Sequence, residues 1–294
     1  MHIEEALAEL RGNPLVEYAE PNYIVRAVLM PNDPQFAQLW GLHNTGQTGG
    51  TPDADIDAPE AWDIHRGSSD VIIAVIDTGV AYNHPDLDDG LDSNIWTNDV
   101  ELNGIPGIDD DGNGYVDDIY GWDFVGEDND PTDFYAHGIH VAGTVAAIGS
   151  NATGITGVNW LASIMPLRIF GAFGYGDAAK AIEAIFYAVD NGARVINASW
   201  GGEGFSQALY DAISYANDRE CLFVAAAGNS SSDNDTNPFY PASYDLPNII
   251  SVAATDHNDN LAWFSNYGAT SVDVTAPGLN ILSSIPVLNL GPEN

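Results

Sequence analysis

The sequence is nearly without positive charge. Seven of its 294 residues are Lys or Arg, against 43 Asp and Glu, for a formal net charge of −36. Lys180 is the single lysine. Nucleic acids and anionic membrane surfaces are therefore poor partners, because phosphate binding draws on clustered Lys and Arg. Cysteine is as scarce: Cys221 stands alone, so no intramolecular disulfide can form. It precedes an apolar run over residues 222–227 and reads as a buried thiol rather than a nucleophile. No run of about 18 apolar residues occurs, so no membrane-spanning helix is expected. The first residues, Met1-His2-Ile3-Glu4-Glu5, lack the basic start and apolar centre of a secretory leader.

Apolar residues, glycines and carboxylates are what the chain has in quantity. With 45% hydrophobic residues it can bury a substantial core, and its length suits one large domain or two ordinary ones. Thirty glycines suit a fold of tight turns and close backbone contacts. Most of the carboxylates read as a solvated acidic surface, screened by salt or neutralised locally by cations.

The first part reads as a small separate element. Residues 4–11 have a short helical pattern closed by Gly12-Asn13-Pro14, and residues 16–28 read as extended chain. A break follows at Met30-Pro31-Asn32-Asp33-Pro34, then an aperiodic loop over residues 43–57. From residue 71 the pattern changes. Residues 71–76 form a continuous apolar run rich in β-branched side chains, the mark of a strand buried on both faces. Similar runs recur at 163–169, 194–198, 222–226 and 249–253, with helical stretches at 137–148, 177–191 and 206–217. Strand–helix alternation predicts an α/β fold with a parallel sheet and helices on its faces. Sites in such folds gather at the carboxyl ends of the strands.

Three motifs fall there. Asp77-Thr78-Gly79 ends the first strand. Read alone, the Asp caps a turn, or belongs to an aspartic protease; the second reading needs a second such carboxylate, and no other Asp-Thr-Gly or Asp-Ser-Gly occurs. His137-Gly138-Ile139-His140-Val141-Ala142-Gly143-Thr144 opens a helix of small residues. A His in the first turn faces the loop side of the sheet, where Asp77 also lies. A metal pair is a weaker reading, since the two histidines are three apart with no third ligand close in sequence. Ala226-Ala227-Gly228-Asn229 ends another buried strand. Its Asn is a turn residue if it stands alone, or aims its amide at a developing oxyanion.

In this order and on these elements the three motifs resemble the subtilisin-like serine proteases (subtilases), the thermitase type above all. Asn197-Ala198-Ser199-Trp200-Gly201-Gly202 resembles the segment that pairs with substrate backbone, and Thr275-Ala276-Pro277-Gly278 the lead-in to the serine region. The resemblance implies a three-layer α/β fold, a parallel sheet with helices on both faces. It implies peptide-bond hydrolysis by an Asp/His/Ser triad: His137 as general base, Asp77 orienting it, Asn229 as oxyanion donor. Ser199, Trp200 and Gly201 would bind substrate. Ile139 departs from the family, which usually has Thr there, and places a bulky side chain near the helix start. The nucleophile is not found. The family follows Ala-Pro-Gly with Gly-Thr-Ser-Met-Ala, no Gly-Thr-Ser occurs in this sequence, and Ser283 and Ser284 match the strand before that loop. The expectation is a chain clipped at both ends, inactive and poorly folded as written. A catalytically inactive subtilase-like protein that only binds peptides is the alternative.

Asp109, Asp111 and Asn113 alternate as the first ligands of a calcium loop do, Gly114 supplies the turn, Tyr115 could offer a carbonyl, and Asp117 falls at position nine. Tyr120 stands where an EF-hand has Glu, so Asp117 or Asp118 would close the shell. By resemblance alone, Asp33, Asp86, Asn151, Thr153 and Ile155 form a second calcium site. Also by resemblance, residues 10–25 correspond to the end of an inhibitory propeptide. This divides the chain into residues 1–29, the propeptide part, and 30–294, an incomplete peptidase domain, with maturation between Arg26 and Asp33. The protein expected is a secreted monomer acting on proteins or peptides.

Overall fold

The continuous β-branched runs all enter one sheet. A computed structural model describes residues 3–21, 29–171 and 173–286. The strands are β1 (Gly67–Asp77), β2 (Trp122–Asp123), β3 (Leu161–Arg168), β4 (Val195–Ala198), β5 (Leu222–Ala226), β6 (Ile249–Thr255) and β7 (Val274–Pro277). Their order is β2-β3-β1-β4-β5-β6-β7, and every pairing is parallel. β1 is interior, with Val75 opposite Pro166 on one side and Asn197 on the other. That position explains its apolar run: Ala74, Val75 and Ile76 are fully buried, with contacts on both faces.

The helices are α1 (Ile3–Arg11), α2 (Ala58–Trp62), α3 (Asp99–Leu102), α4 (His137–Ala146), α5 (Ala178–Asp190) and α6 (Gln207–Asn217). Side-chain caps start the two long ones on the first face: Asp177 accepts the Lys180 N–H and Ser206 the Leu209 N–H. α5 and α6 bury Ala181, Ala184, Ile185, Ala212 and Ile213 against Ile76, Ile196, Phe223 and Ala225. α4 covers the opposite face, over Ile73, Val75 and Ile164. The expected three layers are thus present.

Cover on the α4 side is uneven. Toward β7, Val224, Ala226, Val252 and Ala254 point to that face and are only half-buried. Among the described residues they line an open cavity of about 240 Å³.

α1 matches the expected first helix; residues 16–21 carry no strand, and the rest of the expected extended segment, residues 22–28, lies outside the described residues with most of the expected maturation region. Residues 287–294 lie outside them too. No described helix is long and apolar enough to cross a membrane. Cys221 is 1% exposed, and burial pushes its thiol up to about 11, as befits a structural residue.

Candidate active site

Asp77 is the last residue of β1 and is fully buried. Its Oδ1 accepts the Thr78 N–H at 2.7 Å and lies 2.7 Å from His137 Nδ1. A carboxylate can only accept here, so Nδ1 carries the proton and Nε2 presents its lone pair. The His137 side chain is 49% exposed, so the nitrogen not facing Asp77 is open to an incoming group. The hydrogen bond to Asp77 holds the His137 pKa above its ordinary 6.5; burial opposes this, and the charges of Asp77 and Asp133 add to it. A base with a raised pKa, oriented by a buried carboxylate, takes a proton from a hydroxyl and returns it to a leaving group.

The start of α4 is held by a residue that the motifs did not single out. Ala136 occupies the cap position in a left-handed conformation (φ 78°) and offers no side-chain cap. Asp133, 2% exposed, supplies it instead. Its Oδ2 accepts the Ile139 N–H at 2.9 Å, and its Oδ1 accepts the Tyr135 and Ala136 N–H groups and the Thr78 hydroxyl at 3.0 Å. Thr78 Oγ1 accepts the Gly138 N–H at 2.8 Å. Asp133 and Thr78 thereby tie the residues after both Asp77 and His137 into one network. A Cβ on Gly138 would collide with the Gly79 carbonyl, which is why the helix can begin against the end of β1. An Asp four residues before a helical His was the available sequence signal for Asp133. Ile139 does not crowd the site: it is fully buried and packs against Val75, Val80, Leu87 and Ile164.

Asn229 sits exposed past the end of β5, at the same edge of the sheet. It makes no hydrogen bond to Asp77 or His137; its amide is unengaged and lines the open cavity with Asn197 and Ser199. Gly228, at φ +113°, makes the turn that presents it. Asn266, 1% exposed, braces that turn by accepting the Ser230 and Ser232 N–H groups. Ser199 accepts from the Asn197 amide at 2.9 Å, and the Trp200 indole N–H donates to the Ile76 carbonyl at 2.8 Å. Trp200, Gly201, Ile169, Leu209 and Tyr240 line a second, largely apolar cavity of about 210 Å³. Ser283 and Ser284 are 8% and 4% exposed; their hydroxyls donate to the His140 carbonyl and to Asp86. Among the described residues no serine is hydrogen-bonded to His137.

The acidic loop folds differently from a bare alternation of ligands. Asp109 turns its carboxylate to the Gly112, Asn113 and Gly114 N–H groups, and Asp117 to that of Gly107. Asp111 and Asp118 instead converge with Glu101 of α3, with ligand oxygens within 4.8 Å of one another. Asn113 donates to both Asp111 and Asp118, and the Tyr115 ring packs on Trp122, Phe124 and Tyr187. Asp118 is fully buried; burial, reinforced by the Asp111 charge, pushes its carboxyl above the usual range despite hydrogen bonds from Tyr187, Asn113 and Asn98.

Asp33 and Asp86, both 4% exposed, meet at the 150–154 loop. Asp33 Oδ2 accepts the Ser150 N–H at 2.7 Å, whereas its buried Oδ1 has no partner. Burial raises its pKa, and the Asp86 charge adds to this. Asp86 Oδ1 points at Gly154, Asn151 donates to Asp89, Thr153 turns back onto Asn151, and Ile155 is buried in the core. An orphaned buried carboxylate oxygen beside a second buried carboxylate fits a hard cation with oxygen ligands. So does the trio of Glu101, Asp111 and Asp118, which has no ion-pair partner among the described residues.

The sequence matches the subtilase family over residues 68–292. It is 42% identical to a thermophilic serine proteinase of Bacillus sp. (strain AK1), over 97% of this chain and 60% of that protein. It is 40% identical to thermitase of Thermoactinomyces vulgaris, over 87% of this chain and 76% of that one. With the cell wall-associated protease of Bacillus subtilis (strain 168) it shares 36% over 97% of its own length, which is 28% of that protein's. The chain thus spans about 60% of the first relative and less of the third. Among solved structures, a protease from Pseudoalteromonas arctica PAMC 21717 superposes with a TM-score of 0.66 at 29% identity, covering 85% of this chain and 73% of that one.

Proposed function

This chain belongs to the subtilase family of serine proteases, and on that premise we propose that it carries the acid, base and oxyanion parts of an endopeptidase site. The observation that supports this most is the 2.7 Å contact between His137 Nδ1 and the buried Asp77, with half of the imidazole open to solvent. Asp77 fixes the tautomer and stabilises the imidazolium. His137 Nε2 takes the nucleophile's proton and passes it to the leaving amine. The unengaged Asn229 amide donates to the oxyanion, a contribution of about 3–4 kcal/mol to transition-state stabilisation where such a donor has been removed. Substrate lies extended along Ser199, Trp200 and Gly201, and the cavity beside Trp200 receives an apolar side chain. His140 is the other histidine of the helix and takes no part in proton transfer.

The nucleophile is the missing part. With Ser283 and Ser284 buried and engaged elsewhere, the 294-residue chain does not hydrolyse peptides. A chromogenic peptide should give no signal above buffer; hydrolysis that His137→Ala abolishes would overturn this. Binding a peptide without cleaving it is the behaviour then expected, which keeps the peptide-binding alternative in view for this chain.

Calcium is the cation both acidic sites suit. Glu101, Asp111 and Asp118 would hold one ion, and Asp33 and Asp86 with the 150–154 loop another. Bound ions would neutralise buried carboxylates and rigidify the loops beside α4. We further propose that residues 1–29 act as the tail of an inhibitory propeptide and that the protein works outside the cell as a monomer. A relative named for the cell wall is consistent with export.

A further inference from the structure

Residues 281–284 run across α4 between the catalytic histidine's helix and the Asp33/Asp86 site, and they are fastened at both. The His140 Nε2–H donates to the Ile281 carbonyl at 3.1 Å, and the Ser283 hydroxyl donates to the His140 carbonyl at 2.7 Å. The crossing is close because α4 has no side chain there: both serine hydroxyls lie against Gly143. One residue further on, the Ser284 hydroxyl donates to Asp86 Oδ2 at 2.6 Å in a buried contact.

Asp86 has no cationic partner. Its own N–H donates to His84 Nδ1, so that nitrogen presents a lone pair and cannot also carry a proton toward the carboxylate 3.8 Å away. Oδ2 is therefore oriented by Ser284, leaving Oδ1 to face Gly154 and the 150–154 loop. On the other side of that loop the buried Asp33 Oδ1 has no partner at all. A cation between them would be held by one carboxylate whose direction Ser284 sets.

We propose that residues 281–284 form a strap that couples cation binding at Asp33 and Asp86 to the seating of the chain on the catalytic helix, with Ser284 as the link. This rests on the calcium reading of that site given above. A hydrogen-bonding partner that orients a metal ligand typically accounts for about 10–100-fold in metal affinity. Coupling is reciprocal, so calcium should tighten the strap as much as the strap tightens calcium. Ser284 is a positioning residue: it touches neither substrate nor the reacting atoms. It ties the stretch following β7, the direction in which the family's nucleophile lies, to a metal-dependent anchor.

The test uses the full 294-residue chain, calcium chloride, and hydrogen exchange read by mass spectrometry on peptides covering residues 279–286. Calcium should slow exchange there, and Asp33→Asn should abolish the effect. Ser284→Ala should move the calcium midpoint of the protection up by about 10–100-fold, and Ser284→Thr, which keeps the hydroxyl, should restore it. Ser283→Ala, which cuts only the bond to α4, should speed exchange in the strap while leaving the midpoint in place. If Ser284→Ala titrates like the parent while Asp33→Asn does not respond, the strap is wrong and the site stands. If calcium leaves exchange unchanged and Asp33→Asn melts as the parent does at every calcium concentration, the site itself is wrong and the strap falls with it.

Discussion

Asp133 shows how much of an active site can rest on one buried side chain that does no chemistry. It caps a helix whose cap residue cannot, and it takes the hydroxyl that in turn holds the Gly138 N–H. Asp133→Ala would leave several buried donors without an acceptor, each at about 1–3 kcal/mol. We expect a loss of at least about 3 kcal/mol in a chemical denaturation series, the upper value for one such group. Asp133→Asn keeps the shape and removes the charge that helps hold His137 protonated. The His137 titration, followed by NMR, should then move down, and an unmoved curve would show that the charge does not reach the ring. His137 also predicts a pH dependence. Its folded pKa is raised above the unfolded 6.5, so its pairing with Asp77 stabilises the fold fully below that pH. The contribution fades as pH rises through the folded pKa. The melting-temperature gap between the protein and His137→Gln should accordingly be widest in mildly acidic buffer and narrow in the alkaline range.

At the scale of elements, the two acidic sites are built by loops hung from rigid pieces. α3 has only four residues, yet it brings Glu101 beneath the 109–118 loop, where Glu101 accepts the Asp110, Asp111 and Asp117 N–H groups. The alternation in the sequence pointed to that loop, and two of its carboxylates do converge. Glu101 could not be found in the same way, because its place depends on how a separate short helix folds back. Chelation should lower the melting temperature, and superimposed melts with and without chelator would remove calcium from the account. Glu101→Gln should shrink the calcium-dependent shift as Asp118→Asn does. Asp109→Asn should disturb the turn through its three backbone N–H bonds while leaving the calcium midpoint nearly unchanged.

The molecule as a whole combines a net charge of −36 with a sheet covered unevenly on one face. Self-repulsion among carboxylates destabilises a compact state, and salt screens it over about 10 Å at 0.1 M. Raising sodium chloride should therefore raise the melting temperature even with calcium saturated. The half-buried side chains along β5 and β6 should bind a hydrophobic dye in the folded protein; a dye signal seen only after melting would show that the face is covered in solution.

The sequence by itself determined the parallel α/β sheet, because only strands buried on both faces need unbroken β-branched runs such as the one that became β1. It also determined that Asp77, His137 and Asn229 share an edge, since each follows or begins an element at the carboxyl end of that sheet. Tertiary structure decided the rest. That Asp133 caps α4, that Glu101 replaces Asp109 in the acidic trio, and that Ser284 reaches Asp86 across 198 residues of sequence all depend on contacts between segments far apart in the chain. Local periodicity reports which face of an element is buried; it carries no record of which distant side chain will meet it there.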